Sequence, residues 1–229
     1  LNVSLPRPNG DIAGTVAIVN KGEVHRSLLH FVRTLPPNVI LGTPTGNELP
    51  RQRNMGAAAY PGFVLYVDSD SIMPPGVLQQ LLAHEQEIVG ATVLERFPPW
   101  RVCALKSMDP PERWTLDTLP VTGLIKVPAV GTGCLLIRRS VFERLQMPWF
   151  RCGQIISDLM LEDTEFCLRA QKEIDVQPYL DAACRIGHAT QCIIWPGRDG
   201  KPWVEWGGPN DMREHIEDVR VFDADLLWR

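Results

Sequence analysis

Two carboxylates, Asp68 and Asp70 with Ser69 between them, follow directly on the apolar run Phe63-Val64-Leu65-Tyr66-Val67. A run of that make-up predicts a buried strand. Ligands of open α/β sheets collect at the carboxyl ends of such strands. Two acids at i and i+2 just past a strand end can face one cleft, where they repel each other unless a cation lies between them and a ligand. Mg2+ or Mn2+ takes oxygen ligands of this kind and bridges them to phosphates. Taken alone, the D-x-D pattern is a weak signal and reads first as a solvated turn. Glu162-Asp163 opens a helical pattern, where the positive helix end favours the ionised acid. Simple capping accounts for that pair in isolation; a general base that takes a proton from a hydroxyl is the chemical alternative. His188, after Arg185-Ile186-Gly187, can complete a divalent-metal site as a neutral imidazole, or serve as a hydrogen-bonded structural histidine.

The surrounding pattern says how these residues are carried. Thr15 to Val19 predicts a strand, and Val24 to Leu35 predicts a helix stopped by Pro36-Pro37-Asn38. Val39 to Leu41 is a second strand, Leu49 to Ala59 a helix, and Phe63 to Val67 the clearest buried strand. Pro74-Pro75 opens a helix from about Gly76 to Glu85, and Ile88 to Leu94 is a further strand. The alternating order argues for a layered α/β domain with a mostly parallel sheet flanked by helices. Glu95 to Pro128 is proline-rich, with a strand-like piece at Val102 to Leu105. Gly131 to Ile137 is a strand, Ser140 suits the N-cap of a helix over Val141 to Leu145, and Asp163 to Lys172 is helical. Val176 to Leu180 and Ala183 to Ile186 are short strands. Leu1 to Asp11 is a lead-in tail. Residues 189–229 form a C-terminal extension of the one domain, and four of the seven tryptophans fall there, from Trp195 onward.

In this order the segments resemble a known family. Arg53-Asn54, then Phe63 to Val67 with Asp68-Ser69-Asp70, is similar to the donor-binding half of GT-A-fold, family 2-like glycosyltransferases. Val130 to Phe142 resembles that family's glycine-bearing strand and short helix. Leu161 to Ala170 is similar to its "ED" segment, and Gly187-His188 stands where relatives place a third metal ligand. The resemblance runs from about Thr15 to His188 and implies a GT-A nucleotide-diphospho-sugar transferase fold, with residues 1–229 read as one domain, and an enzyme that moves a sugar from a UDP- or GDP-sugar to a hydroxyl acceptor, with inversion as the first reading and retention as the alternative that the fold also hosts. It implies Mn2+ or Mg2+ on Asp68, Asp70 and His188, and Asp163 as catalytic base. Arg53, Asn54, Asp68 and Ser69 would hold the donor, with Arg53 on the phosphates, positioning Asp68, or equally a plain surface charge; Lys126 and Trp149 are candidates for the acceptor side, or else a solvated lysine and a core or rim tryptophan. Trp195, Trp203 and Trp206 would form a lid or acceptor platform, or else anchor the C-terminal segment. Two features depart from the family. Val19-Asn20-Lys21-Gly22 replaces a Pro-Thr-type turn, and Glu173-Ile174-Asp175 replaces the glycine after the "ED" helix. A sugar nucleotidyltransferase would need a longer glycine-rich basic loop after the first strand. A catalytically silent sugar- or nucleotide-binding module would have no use for an intact metal set beside Asp163.

Composition narrows the classes. The chain has 229 residues, of which 45% are hydrophobic and 22% charged, values of an ordinary globular domain. A net charge of −4 gives no support to a broad nucleic-acid-binding face, although a local basic groove near Arg51 and Arg53 fits the pattern. The six cysteines form no C-x-x-C pair, which argues against structural zinc. Cys134, Cys167 and Cys184 sit in apolar runs and are expected as buried thiols. No apolar stretch is long enough to span a bilayer. No signal-like segment points to an oxidising compartment, so a cytoplasmic protein is expected.

Overall fold

A computed structural model describes residues 13–19, 27–44, 48–58, 62–95, 99–151, 161–189, 192–197 and 202–206. Its first part runs β1 (Gly14–Val19), α1 (Ser27–Arg33), β2 (Val39–Gly42), α2 (Leu49–Ala58), β3 (Phe63–Asp68), β4 (Ser71–Ile72), α3 (Val77–Ala83) and β5 (Ile88–Thr92). Then come β6 (Leu105–Met108), β7 (Pro111–Arg113), β8 (Leu124–Lys126), β9 (Cys134–Arg138), α4 (Arg139–Arg144) and α5 (Glu162–Ile174). Last are β10 (Pro178–Arg185), β11 (Gly187–Ala189), β12 (Cys192–Pro196) and β13 (Pro202–Trp206).

Seven strands form the central sheet in the order β2-β1-β3-β9-β5-β10-β8. β2, β1, β3, β5 and β10 run in one direction, while β9 and β8 run against them. The strand at Gly131 to Ile137 is therefore reversed, and its glycine-bearing start lies at the same rim as the ends of β3 and β5. A second sheet, β13-β12-β11-β4, stands beyond that rim, and β6-β7 is a separate hairpin.

Alternation along the strands explains the layers. Val64 and Tyr66 of β3, with Ile88, Leu135 and Ile137, face a core shared with α2, α4 and α5. Phe63, Leu65 and Val67 face the opposite core, with Leu28 and Phe31 of α1 and Leu78 and Leu81 of α3. A strand buried on both faces must be apolar throughout, which is why the β3 sequence is so plain to see. Helix α5 is pinned by aromatic packing. Phe166 stacks on Phe150 with ring centroids 4.5 Å apart, and Phe150 meets Tyr66 edge-on at 5.3 Å. The buried Arg169 of α5 donates from Nη1 to the carbonyls of Pro148 and Trp149, each at 3.0 Å, and from Nη2 to that of Gln146 at 2.9 Å. Truncating Phe166 to alanine is expected to cost about 3–5 kcal/mol of stability, measured by urea unfolding. A loss no larger than that of a surface substitution would contradict this packing.

Several local expectations are corrected. Ser140 lies inside α4, not at its cap, and its hydroxyl donates to Glu87 Oε1 at 2.6 Å. The two strands expected around Val176–Ile186 are one, β10, with a register shift between Asp181 and Arg185. The buried Asp181 causes the break: its Oδ1 accepts the N–H groups of Ala183 (2.8 Å) and Cys184 (3.0 Å), while Oδ2 accepts from Gln80 at 2.9 Å and meets His84 Nε2 at 2.7 Å. After α5, Asp175 takes the left-handed conformation (φ 55°) that a glycine ordinarily supplies at a helix end. The lack of a glycine at this point thus leaves the turn intact. The Leu1–Asp11 tail, the turn at Asn20-Lys21-Gly22 and residues 207–229 lie outside the described residues. Among the described residues, no helix is long and apolar enough to cross a membrane.

Candidate active site

The carboxyl rim of the sheet is where the chain gathers its acids. β1 and β3 pair in register up to Val19↔Asp68, and Ser69 donates its N–H to the Val19 carbonyl at 3.0 Å. The Asp68 N–H and the Ser71 hydroxyl both reach the Gly133 carbonyl, at 3.2 and 3.0 Å, so the start of β9 is tied to the acidic turn. β4, immediately after the turn, pairs antiparallel with β11 through His188↔Ser71 and Gly187↔Ile72. The Ala189 N–H donates to the Asp70 carbonyl at 2.8 Å. This ladder joins two distant parts of the sequence, leaving Asp70 Oδ2 3.6 Å from His188 Nε2. Trp195 of β12 packs over the junction: a Cβ on Gly187 would lie 3.1 Å from its ring and 3.0 Å from Ile72 Cβ. A side chain here would press on both, so glycine suits the close approach of the hairpin behind His188.

His188 Nδ1 lies 2.8 Å from the Leu94 carbonyl. A carbonyl only accepts, so Nδ1 carries a proton, which leaves Nε2, on the side of Asp70, as the nitrogen that can ligate a metal once it is unprotonated. Backbone support of this kind is what orients metal-ligating histidines. Among the described residues no three His, Cys, Asp or Glu side chains stand together as a metal cluster. Asp68 is drawn instead toward Arg53, with Oδ1 3.8 Å from Nη2. The set at hand is a carboxylate–imidazole pair, able to supply two ligands to a cation that keeps several waters.

One cleft of about 240 Å3 is lined by Arg53, Asp68, Val93, Cys103, Arg113, the Gly131-Thr132-Gly133 turn, Glu162, Asp163 and His188, among others. Every one of these comes from the carboxyl rim or from elements packed on it. Arg53, almost wholly buried on α2, forms an ion pair with Glu162 and lies with Cζ 6.0 Å from the Phe150 ring. Its backbone carbonyl accepts the Tyr66 hydroxyl at 2.7 Å, which fixes α2 against β3. In the first turn of α5, Asp163 Oδ1 accepts the Thr164 N–H at 2.7 Å and Oδ2 the Thr132 N–H at 3.4 Å. Burial raises the Asp163 pKa, opposed by the Arg53 charge and reinforced by Glu162. Thr132 Oγ1 and Arg53 Nε are buried and have no hydrogen-bond partner among the described residues.

The sequence-based candidates separate into two groups. Asp68, Asp163, His188 and Arg53 meet in this cleft, with Asp70 held beside His188. Asn54 does not face it. Its Nδ2 donates to the carbonyls of Pro50 (2.8 Å) and Phe150 (2.7 Å), and its Oδ1 accepts the N–H groups of Trp149 (2.9 Å) and Phe150 (3.1 Å). That full set makes Asn54 a clamp on the Trp149–Phe150 segment in place of a donor contact. Ser69 contributes its backbone bond to Val19 and is absent from the cleft wall. Trp149 is a core residue whose indole N–H is satisfied by the Phe142 and Leu145 carbonyls, at 2.9 and 3.0 Å. Lys126 is exposed and pairs with Tyr179 near the start of β10, away from the rim where the cleft opens. Trp195 is buried against Ile72 and Ala189, which favours the anchoring role; the side chains of Trp203 and Trp206 lie outside the described residues. Cys134, Cys167 and Cys184 are buried free thiols as expected. Cys103, also a free thiol, lines the cleft, but burial pushes its pKa up to about 12 against the pull of Arg113, so it stays a thiol and not a nucleophile.

Arg113, Thr132 and Cys103 are not among the sequence candidates. Thr132 is within reach of such reading, inside the Gly131-Thr132-Gly133 motif. Arg113 lies in the proline-rich middle and carries no motif at all.

No family model matches the chain, and no curated protein matches it in sequence. Its fold is similar to that in the crystal structure of A197 from STIV, with a TM-score of 0.62 over 85% of this chain and 94% of that one, at 15% sequence identity. The likeness is one of fold: a mixed α/β domain whose large central sheet has most strands running one way between layers of helices.

Proposed function

We propose that this chain is a metal-dependent glycosyltransferase of the GT-A type, moving a sugar from a UDP- or GDP-sugar to a hydroxyl acceptor with inversion. The observation that carries the proposal is the convergence of Asp68, Asp163, Arg53 and His188, from four separate parts of the sequence, on one cleft at the carboxyl rim. A solvated turn, a helix cap and a lone structural histidine have no reason to meet.

In this account Asp70 and His188 would hold Mn2+ or Mg2+. A bound divalent cation supplies charge neutralisation to the diphosphate as it departs. Arg53 keeps Asp68 and Glu162 in place from beneath and offers its Nε to the donor. Asp163 takes the proton of the acceptor hydroxyl as that oxygen attacks the sugar's anomeric carbon from the face opposite the leaving diphosphate. A raised pKa makes this carboxylate a stronger base than an exposed one. The Thr132 N–H and its own helix turn hold its orientation.

Asp163 must be ionised to act, so transfer is lost as pH falls through its folded-state pKa. Because burial raises that value, the acid limb of kcat/KM against pH is expected above the ordinary aspartate range. A limb at or below that range would remove Asp163 as the titrating base. The reading as a whole is tested by incubating the protein with Mn2+ and a panel of nucleotide sugars and assaying release of nucleoside diphosphate. Slow donor hydrolysis with one nucleotide class is expected. Silence across the panel would favour a binding module, and pyrophosphate release from a nucleoside triphosphate and a sugar phosphate would favour a nucleotidyltransferase.

A further inference from the structure

The two walls of the cleft carry opposite charge. On the wall formed by α2, α5 and the end of β3, Asp68, Glu162 and Asp163 outnumber Arg53, their one cationic partner among the described residues. That side suits a divalent cation and the diphosphate it brings. The other wall is built by the β6–β7 hairpin, whose Leu105↔Arg113 pairing puts Arg113 at its inner end. The hairpin is firmly seated. The Trp114 N–H donates to the Ala104 carbonyl at 3.2 Å, the Leu105 N–H to the Ala129 carbonyl at 2.8 Å, and Ala104 bridges to Val130 just before the Gly131 turn.

Arg113 is a half-neutralised cation. Glu95 is its acidic partner, with Oε1 3.5 Å from Arg113 Nε, yet the same carboxylate is bound by Arg101 through Nε at 3.0 Å and Nη2 at 3.3 Å. One negative charge serves two arginines, so the wall keeps a net positive charge. The Arg113 side chain is only 12% exposed; its Nε faces Glu95 at ion-pair distance without forming a hydrogen bond, and the side chain donates no hydrogen bond to any of the described residues. Across the cleft floor, the Thr132 hydroxyl is likewise buried and unpartnered among the described residues. Buried polar atoms are satisfied in folded proteins with few exceptions, and orphans that line a cleft mark where a ligand's polar groups go. A guanidinium and a hydroxyl, beside a surplus positive charge, call for an anion.

We infer that Arg113, with the Thr132 hydroxyl, binds an anionic group, a carboxylate or a phosphate, carried by the acceptor. The inference rests on the transferase reading, since it assigns Asp163's substrate to the hairpin wall. Guanidinium groups recognise both anions through paired N–H donors. Arg113 is then a specificity residue, not a catalytic one.

The test compares three sugars as acceptor probes in the presence of Mn2+ and UDP or GDP: methyl glucuronide, glucose 6-phosphate and neutral methyl glucoside. Calorimetry on the full chain should show one of the two anionic sugars binding about tenfold or more tighter than the neutral one; which of them does so identifies carboxylate or phosphate. In Arg113→Gln the preference should vanish while nucleotide affinity stays as in the wild type, and Arg113→Lys should restore part of it. Equal or absent binding of all three sugars, or a preference that survives in Arg113→Gln, would overturn the inference. So would a loss of nucleotide affinity in that variant, which would put Arg113 on the donor. Failure of the unaltered protein to bind any nucleotide with Mn2+ would instead count against the transferase reading itself. Circular dichroism and thermal unfolding of both variants confirm that the fold is retained.

Discussion

Asp163→Asn is expected to lower sugar transfer by about 10²–10⁴-fold, the usual contribution of a positioned general base. Binding of the metal–nucleotide pair should remain, because Asp163 is bonded to the Thr132 turn and is not one of the Asp70–His188 pair. The same substitution should leave the fold as stable or stabilise it. Burial raises the Asp163 pKa, so the folded protein holds that proton more tightly than the unfolded chain. The stabilising contribution is complete at low pH and is lost as pH rises through the folded-state value, so at neutral pH the ionised group costs stability. An amide removes that cost and its one acceptor oxygen can keep the shorter of the two bonds, from the Thr164 N–H, while the long one from Thr132 is given up. Loss of activity with an unchanged or higher Tm separates a catalytic role from a structural one. Normal turnover in the variant would dismiss Asp163 as the base. A large drop in Tm would show that the carboxylate is there to hold the helix start.

His188→Ala has the other large expected effect. Metal-dependent affinity for UDP or GDP should fall by at least about 10–100-fold, the loss typical of disturbed metal-site support, with metal-independent binding little changed. Asp70→Ala should behave alike, since its carboxylate and the imidazole form one pair. The comparison is made by titrating nucleotide with Mn2+ and again with EDTA. If either variant binds nucleotide as the wild type does under both conditions, that residue is not a metal ligand.

Much of this architecture is legible in the sequence. The strands that are buried on both sides, β1 and β3, show as unbroken apolar runs, and the helices between them end at prolines or at polar turns. The reversed direction of β9 is not legible, because a buried strand reads the same either way along a sheet. Direction is set by tertiary pairing with β3 and β5, and no local pattern encodes it. β10 reads as two strands because Asp181 interrupts its alternation; in the fold that aspartate makes the bulge and bonds to α3 and its C-cap. The site is legible wherever motif residues fall at strand or helix ends: Asp68, Asp70, Asp163 and His188. Asn54 stands next to a motif residue in sequence and Trp149 offers an aromatic face, yet one is a clamp and the other core. Their environments depend on the Met147–Phe150 turn, whose course no periodicity predicts. Arg113 is invisible for the converse reason. It reaches the cleft only because the β6–β7 hairpin folds back onto Ala129 and Val130, a long-range contact made by a stretch without regular pattern.

The positions of β4 and β11 matter more to the account than their lengths suggest. Two short strands convert a D-x-D turn and a distant Gly-His pair into neighbours, and Trp195 closes the packing from behind. The central claim is that this arrangement holds a cation for a nucleotide diphosphate. It is tested most directly by crystals grown with Mn2+ and UDP or GDP, with the metal located by its anomalous scattering. The account predicts one Mn2+ ligated by Asp70 and His188 and by oxygens of the diphosphate, with Asp163 open to the space beyond. A nucleotide bound elsewhere, or a cation that leaves both Asp70 and His188 untouched, would contradict it.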